Sequence, residues 1–105
     1  MLKIRQYLKY LCIFFLLCSG YAQANEETYR QQCSVCHSED GSGKEAMQAP
    51  SIAGLDEAYL ARQLMNFKTG VRGNDPSDTS GMMMAGTARS LTEQQINTLS
   101  TYLAA

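Results

Sequence analysis

The stretch QQCSVCHSEDGSG, Gln31 to Gly43, sets Cys33 and Cys36 three positions apart with His37 directly behind the second. The chemistry open to that cluster depends on which other ligands share its compartment. At 105 residues the chain holds one domain at most, and its first two dozen residues do not read as part of it. Lys3, Arg5 and Lys9 form a basic segment, Tyr10 to Cys18 an unbroken apolar run, and Ala22-Gln23-Ala24 a small-x-small pattern. That order is the pattern of a secretory leader cut after Ala24. The apolar run falls short of the roughly 20 residues that a helix needs to cross a hydrocarbon core, so stable membrane insertion is not expected after cleavage.

Cleavage changes both the charge and the cysteine count. The working chain becomes residues 25–105, with six basic against ten acidic side chains, a net charge of −4. That acidity argues against nucleic acid and anionic membrane as partners. Cys12 and Cys18 leave with the leader, so Cys33, Cys36 and His37 are the only cysteines and histidine that remain. Its 81 residues are few for a self-sufficient core, and domains of that size lean on disulfides, a metal or a cofactor.

Three helical segments are expected, and no stretch alternates well enough for a strand. The first runs from about Glu26 into the cysteines, with Tyr29, Cys33 and Cys36 on one face. The second opens on Asp56 as N-cap, carries Tyr59, Leu60, Leu64 and Phe67 as an apolar stripe, and stops at Gly70. The third has Thr92 and Gln95 in capping-box register, with Ile96, Leu99 and Leu103 facing one way. Ser38 to Leu55 and Val71 to Leu91 read as irregular. Loops of that length need a task, and wrapping a large flat cofactor is one.

A thioredoxin-like use of Cys33 and Cys36 would require a preceding strand, which is missing from the pattern. Zinc would require four ligands where three exist. A disulfide across two intervening residues would close a very small loop and stabilise little. Haem attachment uses all three residues: two thiols add to the two vinyl groups and the adjacent imidazole lies beneath the iron, the C-x-x-C-H pattern of c-type haem. A sixth ligand to that iron is expected from Met82-Met83-Met84, with Met83 or Met84 the candidate and the other two methionines packing.

Further motifs follow in order: Pro50-Ser51-Ile52-Ala53-Gly54; Tyr59-Leu60 through Gln63-Leu64 and Phe67 to Gly70 and Arg72; Met82 to Met84; Leu91-Thr92, Ile96 and Tyr102-Leu103. With the haem motif, this string resembles the class I cytochromes c, above all the small bacterial periplasmic branch of subtypes four and five. The resemblance covers nearly all of residues 25–105. It implies an all-α fold of about three main helices with long loops wrapped around one covalently bound haem. It also implies that the carbonyl of Pro50 accepts the other ring N–H of His37, that Met84 is the sixth ligand, and that Arg72 lies near a haem propionate. The alternative for Arg72 is a solvated surface charge. Two positions depart from the family pattern: Ser38 stands where glycine usually follows the histidine, and Glu26 where the first helix usually has glycine.

A His and Met pair leaves iron no open position, which points to a non-enzymatic one-electron carrier in the periplasm, working between redox partner proteins through haem c. A haem subunit of a larger dehydrogenase or oxidase, or a haem-based sensor or peroxidase-like protein with a labile methionine bond, are the alternatives. No general acid/base cluster and no second histidine are present to serve an enzyme.

Overall fold

Why the chain turns where it does is decided largely by its caps. A computed structural model describes residues 3–8, 10 and 25–105. The expected cleavage site and most of the apolar run before it lie outside the described residues. Helical backbone covers residues 25–32, here α1. A turn at Cys33 leads into the short α2, Ser34–His37, and α3, α4 and α5 follow at Glu57–Thr69, Thr79–Arg89 and Glu93–Ala104. Among the described residues there is no strand, only an isolated antiparallel bridge between Lys44 and Ala49, and no helix is long and apolar enough to cross a membrane.

The start and stop signals of α3 and α5 act as their residues require. The side chain of Asp56 accepts the N–H of Tyr59, and Gly70 closes α3 in the left-handed conformation that a side chain would resist. Thr92 and Gln95 complete a reciprocal capping box, each side chain bonding the other's backbone N–H. The stripe on α3 is buried through Leu60 and Phe67. Tyr59, expected in that stripe, is instead 41 % exposed, with the guanidinium of Arg62 over its ring. Although Leu60 beside it is buried, Tyr59 stands about 100° around the helix from it, on the solvent edge of the stripe.

The stretch expected to be irregular from Val71 to Leu91 contains a further helix, α4. Asp78 caps it by accepting the N–H of Gly81, and Lys68 of α3 donates to the carbonyls of Arg89 and Leu91 at its far end. Two internal glycines and three consecutive methionines hide its period. The positions it buries, Ala85 and Ala88, are small rather than conspicuously apolar. The preceding strap lies close against it: Gly73 is buried at φ +77°, and a side-chain carbon there would run into the carbonyl of Gly81.

Packing divides into two clusters joined by α3, on which both α4 and α5 rest. The larger holds Tyr29, Leu60, Leu91, Ile96, Leu99 and Leu103, with Cys33, Ile52 and Leu64 against its edge. The smaller holds Phe67, Ala85 and Ala88, with Met84 against it. Glu26 does not keep α1 from α5, because Tyr29 supplies the contact: its ring lies 5.7 Å from that of Tyr102. Removing the α5 cap with Thr92→Ala should lower stability by about 1 kcal/mol, while Thr92→Ser keeps most of it. Denaturant unfolding of the two variants checks this, and equal midpoints for both and for the unmodified chain would contradict the role given to the box.

Candidate functional site

The cluster at Cys33, Cys36 and His37 is built from the junction of α1 and α2. The N–H of Cys33 still reaches the carbonyl of Tyr29, closing α1, and the N–H of His37 reaches the carbonyl of Cys33, closing α2. Both cysteines are free thiols, half-buried. Burial, and secondarily the neighbouring Cys36, pushes the Cys33 thiol up to about 11, so it is held as S–H rather than thiolate at neutral pH.

His37 is buried, and its Nδ1 lies 2.8 Å from the carbonyl oxygen of Pro50. A carbonyl only accepts, so Nδ1 carries the proton and Nε2 keeps the lone pair that a metal would use. Two free thiols and one imidazole nitrogen with its tautomer fixed make a donor set that fits covalent haem.

The loop that brings Pro50 to the histidine is folded tightly. Lys44 and Ala49 exchange both backbone hydrogen bonds, at 2.9 and 3.1 Å, and the carbonyl of Gly41 accepts from Ile52 and Ala53. Ser38 takes φ +69° and ψ +161°, a region populated almost only by glycine. Three bonds hold it there or nearby: the Tyr29 hydroxyl donates to its carbonyl at 2.5 Å, its own Oγ donates to the carbonyl of Gly43 at 2.8 Å, and Gly43 N–H donates to the carbonyl of His37 at 2.9 Å. The sequence marked Ser38 as standing where the family has glycine, but nothing in it pointed to Tyr29 and Gly43 as its partners.

Met84 and Arg72 belong to a second grouping, around Phe67. Arg72 stacks its guanidinium 4.5 Å over the Phe67 ring and donates to Gln63 at 2.9 Å, while remaining exposed. Met84 is half-buried against Phe67 and the two alanines. Met82 and Met83, expected to pack, are instead 46 % and 60 % exposed, because consecutive residues on a helix point in different directions and only one of the three can share the face of Ala85 and Ala88. The two groupings are tied through Gln48, in the loop before Pro50, which accepts from the hydroxyl of Ser80 on α4 at 2.7 Å.

Comparison with known proteins gives a consistent picture. A family model described as cytochrome c matches residues 22–105. Cytochrome c4 of Stutzerimonas stutzeri is 39 % identical over 68 % of this chain and 32 % of its own length. A protein named thiosulfate dehydrogenase electron acceptor, from Thiomonas intermedia (strain K12), is 36 % identical over 86 % of this chain and 37 % of its own. The chain thus spans about a third of the length of these two relatives. The crystal structure of reduced recombinant cytochrome c4 from Pseudomonas stutzeri superposes with a TM-score of 0.67 at 31 % identity, over 82 % of this chain and 48 % of that one.

Tyr29 offers a direct test of this geometry. Burial above all raises its hydroxyl from an ordinary 10.0 to about 12. In the unfolded chain it ionises from pH 10 upward, while in the folded chain it stays protonated until about 12, so stability falls as pH rises through that window. Tyr29→Phe should cost about 1 kcal/mol at neutral pH, the worth of the bond to Ser38, and should remove this share of the alkaline loss. Unfolding curves of both proteins from pH 8 upward check it; parallel losses in the two would contradict a raised Tyr29.

Proposed function

This chain belongs to the cytochrome c family, and on that premise we propose that it is a periplasmic one-electron carrier whose haem c is held by Cys33, Cys36, His37 and Met84. When bound, haem c supplies an iron that passes between the ferric and ferrous states by gain or loss of a single electron. Residues 25–105 form the working domain, exported and trimmed after Ala24. Cys33 and Cys36 would hold the group through two thioethers, an addition of S–H across a vinyl C=C that needs no oxidant. His37 would offer Nε2 to the iron. The carbonyl of Pro50 keeps the imidazole in that tautomer and makes it a stronger donor. Met84 would offer its thioether, and a soft sulfur favours the ferrous state.

The observation that carries the reading is the bond from His37 Nδ1 to Pro50, one residue beyond two free thiols, which leaves Nε2 as the unengaged nitrogen. Support for Met84 over its neighbours comes from its place against the Phe67 cluster while Met82 and Met83 face solvent. Arg72 keeps donors beyond the one given to Gln63 and takes the role of propionate partner. His37 and Met84 together would leave no place at the iron for a small substrate, and the protein's work would be to meet other redox proteins. The relative named as a thiosulfate dehydrogenase electron acceptor supports an oxidoreductase as the donor. The charge of −4 on residues 25–105 favours a partner that is basic or apolar where it docks.

The ligand assignment is tested on protein matured with the haem-attachment machinery. The oxidised form should show the long-wavelength band of a sulfur–iron bond. Met84→Ala should lose that band and bind carbon monoxide when reduced, whereas Met82→Ala and Met83→Ala should do neither. Loss of the band in Met83→Ala alone would move the ligand by one residue. A spectrum indifferent to all three changes would sink the His–Met assignment and the carrier reading with it.

A further inference from the structure

Resting on the reading of His37 as the histidine that faces iron, we infer that Gly43, tethered by Ser38, is a positioning residue for it, setting the place of the Pro50 carbonyl through direct backbone contact. Gly43 and Pro50 flank the loop that the Lys44–Ala49 bridge closes. The contact between them leaves no room for a side chain. A Cβ on Gly43, which has φ +89°, would lie 2.7 Å from the carbonyl oxygen of Ala49, the carbonyl carbon of Pro50 and the nitrogen of Ser51. That is the peptide whose oxygen accepts from His37 Nδ1.

Gly43 is itself fixed at both ends. Its N–H donates to the main-chain carbonyl of His37, and its carbonyl accepts from Ser38 Oγ. A closed ring results: the His37 main chain holds Gly43, Gly43 supports the Pro50 peptide, and Pro50 returns to the His37 ring. Ser38 keeps its costly positive φ because both of its polar ends are engaged, the carbonyl by Tyr29 and the hydroxyl by Gly43. A glycine serving only a turn would not need this contact. Gly70 is such a case, with φ +81° and nothing within 4 Å of where a Cβ would stand.

The test uses the haem-loaded protein, with exchange of the His37 Nδ1 proton for deuterium followed by proton NMR and the reduction potential measured alongside. Gly43→Ala should speed that exchange about tenfold, the equivalent of about 1.4 kcal/mol. It should also raise the potential, since an imidazole with a weaker hydrogen bond is a poorer donor to ferric iron. Ser38→Ala, which removes the hydroxyl tether and puts no side chain into the Gly43–Pro50 contact, should move both readouts in the same direction by less. Gly70→Ala carries a comparable backbone strain and should lower stability with neither readout changed. Unaltered exchange and potential in Gly43→Ala, or equal shifts in Gly70→Ala, overturn the inference. If Gly43→Ala does not mature, Ser38→Ala decides, and exchange as slow as in the unmodified protein counts against it. An unmodified protein with no iron-shifted His37 signal would instead remove the ligand reading itself, a result distinct from an iron-bound His37 indifferent to Gly43.

Discussion

An imidazole has two nitrogens, and one hydrogen bond decides which of them is offered outward. In this protein that bond runs from His37 Nδ1 to the carbonyl of Pro50. The surrounding local structure converges on it from two directions: α1 and α2 deliver the histidine immediately behind the two thiols, and the Lys44–Ala49 bridge folds the following loop back to deliver the carbonyl. Neither side can shift alone. The donor is part of a helix that closes on Cys33, and the acceptor peptide lies against a glycine bonded to the histidine's own main chain. Family membership is visible here as a physical arrangement, beyond a spacing of letters.

α3 carries the rest of the organisation. Its Leu60 side joins Tyr29 and the apolar face of α5, its Phe67 side receives α4, and Lys68 at its end satisfies carbonyls at and just past the end of α4. Arg72, just past its C-cap, returns to stack on Phe67. One helix thereby relates the cluster that Cys33 borders to the cluster that Met84 borders. The bond between Gln48 and Ser80 adds a second, more local link between the two.

Much of this could be read before any coordinates. Asp56, Gly70, Thr92 and Gln95 act through short-range bonding, so their residue types announce helix ends directly. Cys33, Cys36 and His37 were legible because few chemistries use that trio at that spacing, and Pro50 because the family resemblance supplied it. α4 was not legible. Its buried face is made of alanines, its interior carries glycine, and three methionines in a row present apolar surface in every direction, so the 3.6-residue period vanishes. Tyr59 differs for another reason: it is apolar and adjacent to Leu60, yet stands about 100° around the helix from it, at the edge that solvent reaches. The Tyr29–Ser38–Gly43 contacts depend on a positive φ and on a close backbone approach, neither of which a residue type states unless glycine or its replacement hints at it.

The inequality of the two clusters has a consequence for how the molecule opens. A leucine buries about three more carbons than an alanine, at about 0.8 kcal/mol for each buried methylene, and the larger cluster holds four leucines while the smaller rests on Phe67 and two alanines. Of the three long helices α3, α4 and α5, α4 is therefore the one most weakly held by apolar burial, kept in place instead by the Asp78 cap and the Lys68 bonds at its ends. Transient local unfolding should begin there, as a unit, while α1, α3 and α5 remain closed around Tyr29. Amide protons of α4 would exchange ahead of those of α5, and Met84 would move with α4 while Tyr29 and His37 kept their places. What secures α4 is a handful of polar bonds at its ends more than a hydrophobic seal.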